Sequence, residues 1–160
     1  MKKVIVIGCA GSGKSTFARA LAKKTGLPLV HLDLLYWRKD GSTVGKEAIR
    51  SRIREEIKND EWIIDGNYAS TMEERMVACD TVFFLDYPTD VCLSGVDARR
   101  GKPRTDMPCI LSDNDDDFIE FIKNYRLKNR PEVIALLEKY KEKQIYVFKT
   151  RKEADEFLSR

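Results

Sequence analysis

Residues 4–18 read VIVIGCAGSGKSTFA. Val4–Ile7 are four branched apolar residues, the mark of a strand buried on both faces. The next eight, Gly8–Ser15, fit the pattern G-x-x-x-x-G-K-[ST]. Phe17, Ala18, Leu21 and Ala22 then recur at helical spacing, and Gly26 stands where a helix C-cap is expected. A strand, a glycine-rich turn and a helix in that order are what a phosphate cradle requires. Glycines let the backbone wrap and aim N–H groups at anionic oxygens, at the positive end of the helix. On this reading Gly8, Ala10, Gly11, Ser12, Gly13, Lys14, Ser15 and Thr16 bind the nucleotide. Lys14 reaches the β/γ-phosphates and takes part in catalysis, the Ser15 hydroxyl ligates Mg²⁺, and Thr16 lies by the α-phosphate. The bland alternative is a glycine-rich turn that happens to carry a lysine; the flanking strand and helix argue against it.

Composition narrows the setting. The chain has 160 residues, 42% apolar and 34% charged, with a net charge of +3. That length suits one compact domain spanning 1–160, and the weak charge argues against a dedicated nucleic-acid binder. Cys9, Cys79, Cys92 and Cys109 form no CxxC pair and His31 stands alone, which excludes the common zinc spacings and a disulfide framework. The opening MKKVIVIG has an apolar run too short for a signal peptide, and no later segment reads as a membrane span. A reduced, cytoplasmic protein without membrane contact is expected.

Further strands are expected at Leu29–Leu32, Trp62–Ile64, Thr81–Leu85 and Ile145–Phe148, after the first at Lys3–Ile7. Helical patterns run between them. Ile49, Ile53 and Ile57 form a thin stripe over 46–58 that suits a surface cover. Thr71 with Glu74 suggests a capping box. A helix is expected over 90–100, another around Phe118, Phe121, Ile122 and Tyr125 with Asp115–Asp117 at its start, one opened by Pro131, and a last one capped by Thr150 and Glu153. RRGKPRTDMP (99–108) has no apolar periodicity and reads as a mobile loop. Alternating buried strands and helices predict an α/β protein with a parallel sheet, and ligands bind such sheets beyond the strands' carboxyl ends. Asp33, Asp65 and Asp86 all fall there.

No Asn-Lys-x-Asp loop for guanine is present, and the chain is too short for the large motor ATPases. GCAGSGKSTFARALAKKTGLPLVHLD, WIIDGNY, DTVFFLDYP and RRGKPRTD, in that order, resemble the adenylate-kinase-like P-loop proteins, and among these the DNA-topology-modulation family. The resemblance implies a three-layer, nucleoside-monophosphate-kinase-like P-loop NTPase fold with a five-stranded parallel sheet in the order 2-3-1-4-5. It also implies an acceptor-side cover at about 34–60 and a lid at about 99–117. Adenylate kinases carry Asp-Gly-Phe-Pro-Arg where this chain has Asp65-Gly66-Asn67-Tyr68, which speaks against AMP as acceptor.

Within that frame Asp65 ends a Walker-B-like strand and either holds Mg²⁺ or caps the turn at Gly66. Asp33 sits where shikimate-kinase-like relatives place an acid near the acceptor hydroxyl; its alternative is an N-cap. Asp86 and His31 read as structural, and Cys9 needs no role. Arg99, Arg100, Lys102 and Arg104 would close over the triphosphate, with Arg100 and Arg104 as catalytic candidates. Arg126, also a candidate, lies four residues from Arg130 on a helix side that would meet the lid; Arg75 is a weaker acceptor-side candidate. The expected function is a Mg-dependent phosphotransferase acting on ATP and an unidentified small acceptor. The alternative is an NTP-binding or NTP-hydrolysing regulator of DNA topology, with nucleic acid as partner.

Overall fold

A computed structural model of the protein describes residues 1–109 and 116–160. Its five strands are β1 (Lys3–Gly8), β2 (Leu29–His31), β3 (Trp62–Asp65), β4 (Thr81–Leu85) and β5 (Gln144–Phe148). The helices are α1 (Lys14–Thr25), α2 (Leu32–Tyr36), α3 (Lys46–Glu56), α4 (Ala69–Ala78), α5 (Thr89–Arg99), α6 (Asp116–Lys128), α7 (Arg130–Lys139) and α8 (Arg151–Ser159). All strand pairs are parallel and the sheet order is β2-β3-β1-β4-β5, as expected.

The sheet separates two apolar layers, and strand alternation feeds both. Val4, Val6, Ile63, Phe83 and Leu85 pack on one face with Phe17 and Leu21 of α1, Cys92 and Val96 of α5, Ile122 of α6 and Ala154 of α8. Ile5, Ile7, Ile64, Val82 and Phe84 pack on the other with Leu32, Ile49 and Ile53, Met72 and Met76, and Val133 and Leu137. That is the pattern of a parallel sheet covered by helices on both sides. An aromatic stack adds to the first layer, with Phe83 5.0 Å from both Phe17 and Tyr146.

Several local readings change. Leu32 leaves β2 and starts α2, a five-residue helix too short for its periodicity to stand out. The α3 stripe is fuller than a surface cover, because Ile49 and Ile53 are completely buried. β5 lies at the sheet edge and is only partly buried. Thr71 is inside α4, where its hydroxyl donates to the Tyr68 carbonyl; the helix is entered through Tyr68, without a side-chain cap. Arg126 and Arg130 are not on one helix, since α6 ends at Lys128 and α7 starts at Arg130. Asp115 and residues 110–115 of the expected lid lie outside the described residues.

The carboxyl ends of β1, β2 and β3 converge. Gly8 is one residue beyond Ile7, Val6 stands in register with Asp65, and Asp65 with His31. The turn after β1 therefore opens beside the acids of its neighbours.

Candidate functional site

The cradle is built against α5. Gly11 holds φ 80°, in the left-handed region, and a Cβ there would lie 2.0 Å from the Cys92 carbonyl oxygen. The contact is reciprocal, since a Cβ on Gly95 would lie 2.0 Å from the Gly11 oxygen. Arg151, at the start of α8, donates to the Gly11 carbonyl at 3.2 Å and the Ser12 carbonyl at 3.4 Å. In a trans peptide the N–H points opposite to the C=O, so spending the Ser12 carbonyl on Arg151 turns the Gly13 amide the other way. The Ser12 hydroxyl is buried with no hydrogen-bond partner among the described residues. A turn that packs its carbonyls outward and holds an orphaned donor fits a polyphosphate.

Lys14 Nζ donates to the Cys9 carbonyl at 3.0 Å. Burial pushes its ammonium below the ordinary lysine value, while the charges of Asp33 and Asp65 act the other way. Such a lysine lacks a full counter-charge, and phosphate oxygens would supply it. Thr16 Oγ1 accepts from Arg19 at 3.2 Å.

A cleft of about 1060 Å³ runs from the cradle across the ends of β2 and β3. On its far wall Asp33 Oδ1 accepts a 2.6 Å hydrogen bond from Tyr68 OH, and Arg104 Nη2 lies 3.8 Å from Asp33 Oδ2. Burial raises the Asp33 pKa, opposed by Tyr68 and by the charges of Lys14 and Arg104. Tyr36 stands edge-on to Trp37 (5.5 Å) and to Tyr68 (5.1 Å), so three aromatic rings form the wall around this carboxyl.

The Asp65–Tyr68 segment is held rigidly. Asp65 Oδ2 bonds to His31 Nδ1 at 2.8 Å, both groups being buried. Asn67 clasps Gly8, donating to its carbonyl at 2.7 Å and accepting from its amide at 3.2 Å, which ties this loop to the cradle. Tyr68 holds φ 39°, a costly conformation for a residue with a Cβ. Arg75 sustains it: fully buried, its guanidinium donates to the Gly66 carbonyl at 2.9 Å, to the Tyr68 carbonyl at 3.3 Å, and to the Asn67 carbonyl between them. Arg75 is thus placed behind the wall that carries Tyr68 rather than in the cleft.

Of the other arginines, Arg99 and Arg104 line the cleft. Arg100 pairs with Asp97 at 2.9 Å instead. Arg126 turns to Asp86 Oδ1 at 3.4 Å, joining Arg130, which forks the same carboxylate at 2.8 and 2.7 Å, and Lys149. Burial of Asp86 acts upward on its pKa, and Arg130 and Lys149 outweigh it and hold the carboxyl below its usual range. One residue escaped the sequence reading. Asp106, almost fully buried, accepts from Ser15 Oγ at 2.9 Å and is forked by Arg104 at 3.1 and 2.7 Å. Its only signal in the sequence is an acid inside a basic loop. No group of three or more His, Cys, Asp or Glu side chains among the described residues is arranged to hold a metal. Magnesium here would rest on Ser15, a carboxylate, water and phosphate oxygens, a donor set normal for this ion.

The fold and cradle define a P-loop nucleotide-binding protein. Residues 4–86 match the model of the ATPase family associated with various cellular activities (AAA), and the chain belongs to that family. No curated protein matches the chain. Over its whole length it resembles solved shikimate kinases in fold. One, from Bacteroides thetaiotaomicron, is 19% identical, with 98% of this chain and 94% of that one covered at a TM-score of 0.61. Another, from Acinetobacter baumannii in complex with shikimate, is 20% identical, with 99% and 92% covered at a TM-score of 0.63. No helix among the described residues is long and apolar enough to cross a membrane.

Proposed function

We propose that the protein is a Mg-dependent phosphotransferase that moves the γ-phosphate of ATP to a hydroxyl of a small acceptor seated against Asp33 and Tyr68. The observation that carries this reading is the placement of Asp33. A half-buried carboxyl of raised pKa, fixed by a tyrosine, shares one cleft with the cradle lysine. An ATP hydrolase needs no second, aromatic-walled compartment beside its cradle; a kinase does.

In this scheme the cradle amides and Lys14 hold the triphosphate, with Ser15 and a carboxylate on the metal side. Bound magnesium would neutralise charge on the β- and γ-oxygens. Asp33 orients the acceptor hydroxyl and takes its proton as the oxygen bonds to the γ-phosphorus and the bond to the β–γ bridging oxygen breaks, releasing ADP. A carboxylate of raised pKa is the better base for that transfer. Arg104, beside both Asp33 and the cradle, is the lid arginine best placed to meet the transferred group. Arg100 and Arg126 would need the lid to move before they could act.

The shikimate complex of the Acinetobacter relative supports a small hydroxylated acceptor as a class. The regulator of DNA topology rests on the family resemblance alone, and the matched proteins lend it nothing.

The test is ADP release from Mg·ATP across a panel of nucleosides, sugars and hydroxy acids, with DNA included. One acceptor should raise turnover well above the basal rate. Asp33→Asn should then cut kcat by about 10²–10⁴-fold, the usual contribution of a general base, with ATP binding retained. Equal hydrolysis with and without every member would rule the proposal out, and stimulation by DNA alone would favour the other reading.

A further inference from the structure

A single run of polar contacts crosses the cleft. Ser15 Oγ donates to Asp106 Oδ2 at 2.9 Å; Arg104 binds Asp106 through Nε to Oδ1 at 3.1 Å and through Nη2 to Oδ2 at 2.7 Å. The same Nη2 stands 3.8 Å from Asp33 Oδ2, which Tyr68 anchors. We infer that Asp106 is the protein carboxylate of the magnesium site, a direct neighbour of Ser15 in the metal's coordination shell. This rests on the cradle being a Mg·nucleotide site.

Geometry carries the inference. Magnesium takes an octahedron of oxygens at 2.0–2.1 Å, so two adjacent ligands are separated by √2 times that length, roughly 2.9 Å. The Ser15 Oγ to Asp106 Oδ2 separation is that of their hydrogen bond and is also compatible with that value. The two oxygens are therefore close enough to serve one ion as adjacent ligands, with the hydroxyl proton turned to the carboxylate. The Asp106 side chain is only 7% exposed and is supported by a second contact, so its position does not depend on the ion. Burial works against its charge, but the Arg104 fork and the Ser15 hydroxyl hold it ionised, below the usual carboxylate range. Oδ1 keeps the Arg104 Nε bond, while Oδ2 is the oxygen a cation would take from Arg104 Nη2. Entry of the metal would then loosen the arginine's hold on the donor side at the point where it faces Asp33. Asp65, by contrast, has Oδ2 committed to His31 at 2.8 Å.

The deciding experiment is calorimetric titration of ADP into the wild type, Asp106→Asn, Asp65→Asn and Ser15→Ala, each with Mg²⁺ and with EDTA. The wild type should bind more tightly with the metal. Asp106→Asn should lose about 10–100-fold of that gain, a lower bound set by what outer-shell partners cost, while its EDTA affinity stays near wild type. Ser15→Ala should behave alike and Asp65→Asn should keep most of the gain. Asp106→Glu, which preserves the carboxylate, should recover part of it and separates metal binding from a folding defect. The inference fails if Asp106→Asn keeps the wild-type gain, or if Asp65→Asn alone loses it. It also fails if Asp106→Asn binds ADP more tightly with and without metal, which would make the contact a mere latch. A wild type with no metal-dependent gain would overturn the magnesium site itself, and with it the proposed donor reaction. A normal wild type with an indifferent Asp106→Asn would overturn this assignment alone.

Discussion

Lys14 sits folded onto its own loop, its ammonium on the Cys9 carbonyl and its charge disfavoured by burial. Binding a polyanion replaces one weak carbonyl partner with full negative charges, so a large share of nucleotide affinity should pass through this side chain. A ligand at 100 times its Kd stabilises a protein by about 2.7 kcal/mol, worth roughly 5–10 °C in Tm at this chain length. Lys14→Ala should remove most of the shift that Mg·ATP produces in a thermal melt followed by circular dichroism. An undiminished shift would refute the cradle. That Lys14, Ser15 and Asp33 would line one cleft could be anticipated from local patterns: a loop signature for the first two and, for the third, an acid just past an expected strand. Asp106 was not, because its meaning arises from Ser15, 91 residues away, in a loop without periodicity. Arg126 misled for the same reason in reverse. Its four-residue spacing from Arg130 looks helical, yet the helix is interrupted at Asn129 and both side chains turn to Asp86.

Among the elements, α5 has a role that its own residues conceal. Its outward pattern is mixed, but Gly95 brings its backbone against Gly11, so the helix serves as the back plate of the cradle. Gly95→Ala would place a methyl 2.0 Å from a backbone oxygen that cannot swing aside. The helix and loop must part, at the roughly 1–3 kcal/mol typical of overpacking. Urea unfolding should register that loss, and ATP titration a weaker affinity; wild-type stability would refute the contact. The strands β1, β3 and β4 were legible because they are continuous branched and aromatic runs, buried on both faces. α2 was not, since five residues carry too few turns to reveal a period. The α4 start was misread at Thr71 because the chain enters that helix through a strained Tyr68, held by Arg75, and not through a capping side chain.

Across the whole molecule, Asp86 draws distant parts together. It follows β4 directly and gathers Arg126 of α6, Arg130 of α7 and Lys149 beyond β5 on one buried carboxylate. Its pKa is depressed in the folded state, so the unfolded chain binds this proton more readily. The stabilisation is therefore complete above the ordinary aspartate value of about 3.9 and is lost as pH falls through the lower, folded value. The cations are partly exposed and screened, which sets the expected loss for Asp86→Asn at about 1–2 kcal/mol, below that of a fully buried pair. Denaturation midpoints should drop at neutral pH and flatten in acid; an acid limb as steep as the wild type's would dismiss the hub. The Arg151 contact bears on time as well as on space. β1 lies at the centre of the sheet and needs β3 and β4 beside it, and the Gly11 and Ser12 carbonyls need a guanidinium some 140 positions later. During synthesis the glycine loop is made some 140 residues before the guanidinium that braces its carbonyls. A ligand would meet the braced form of the loop only once α8 has been made and has docked.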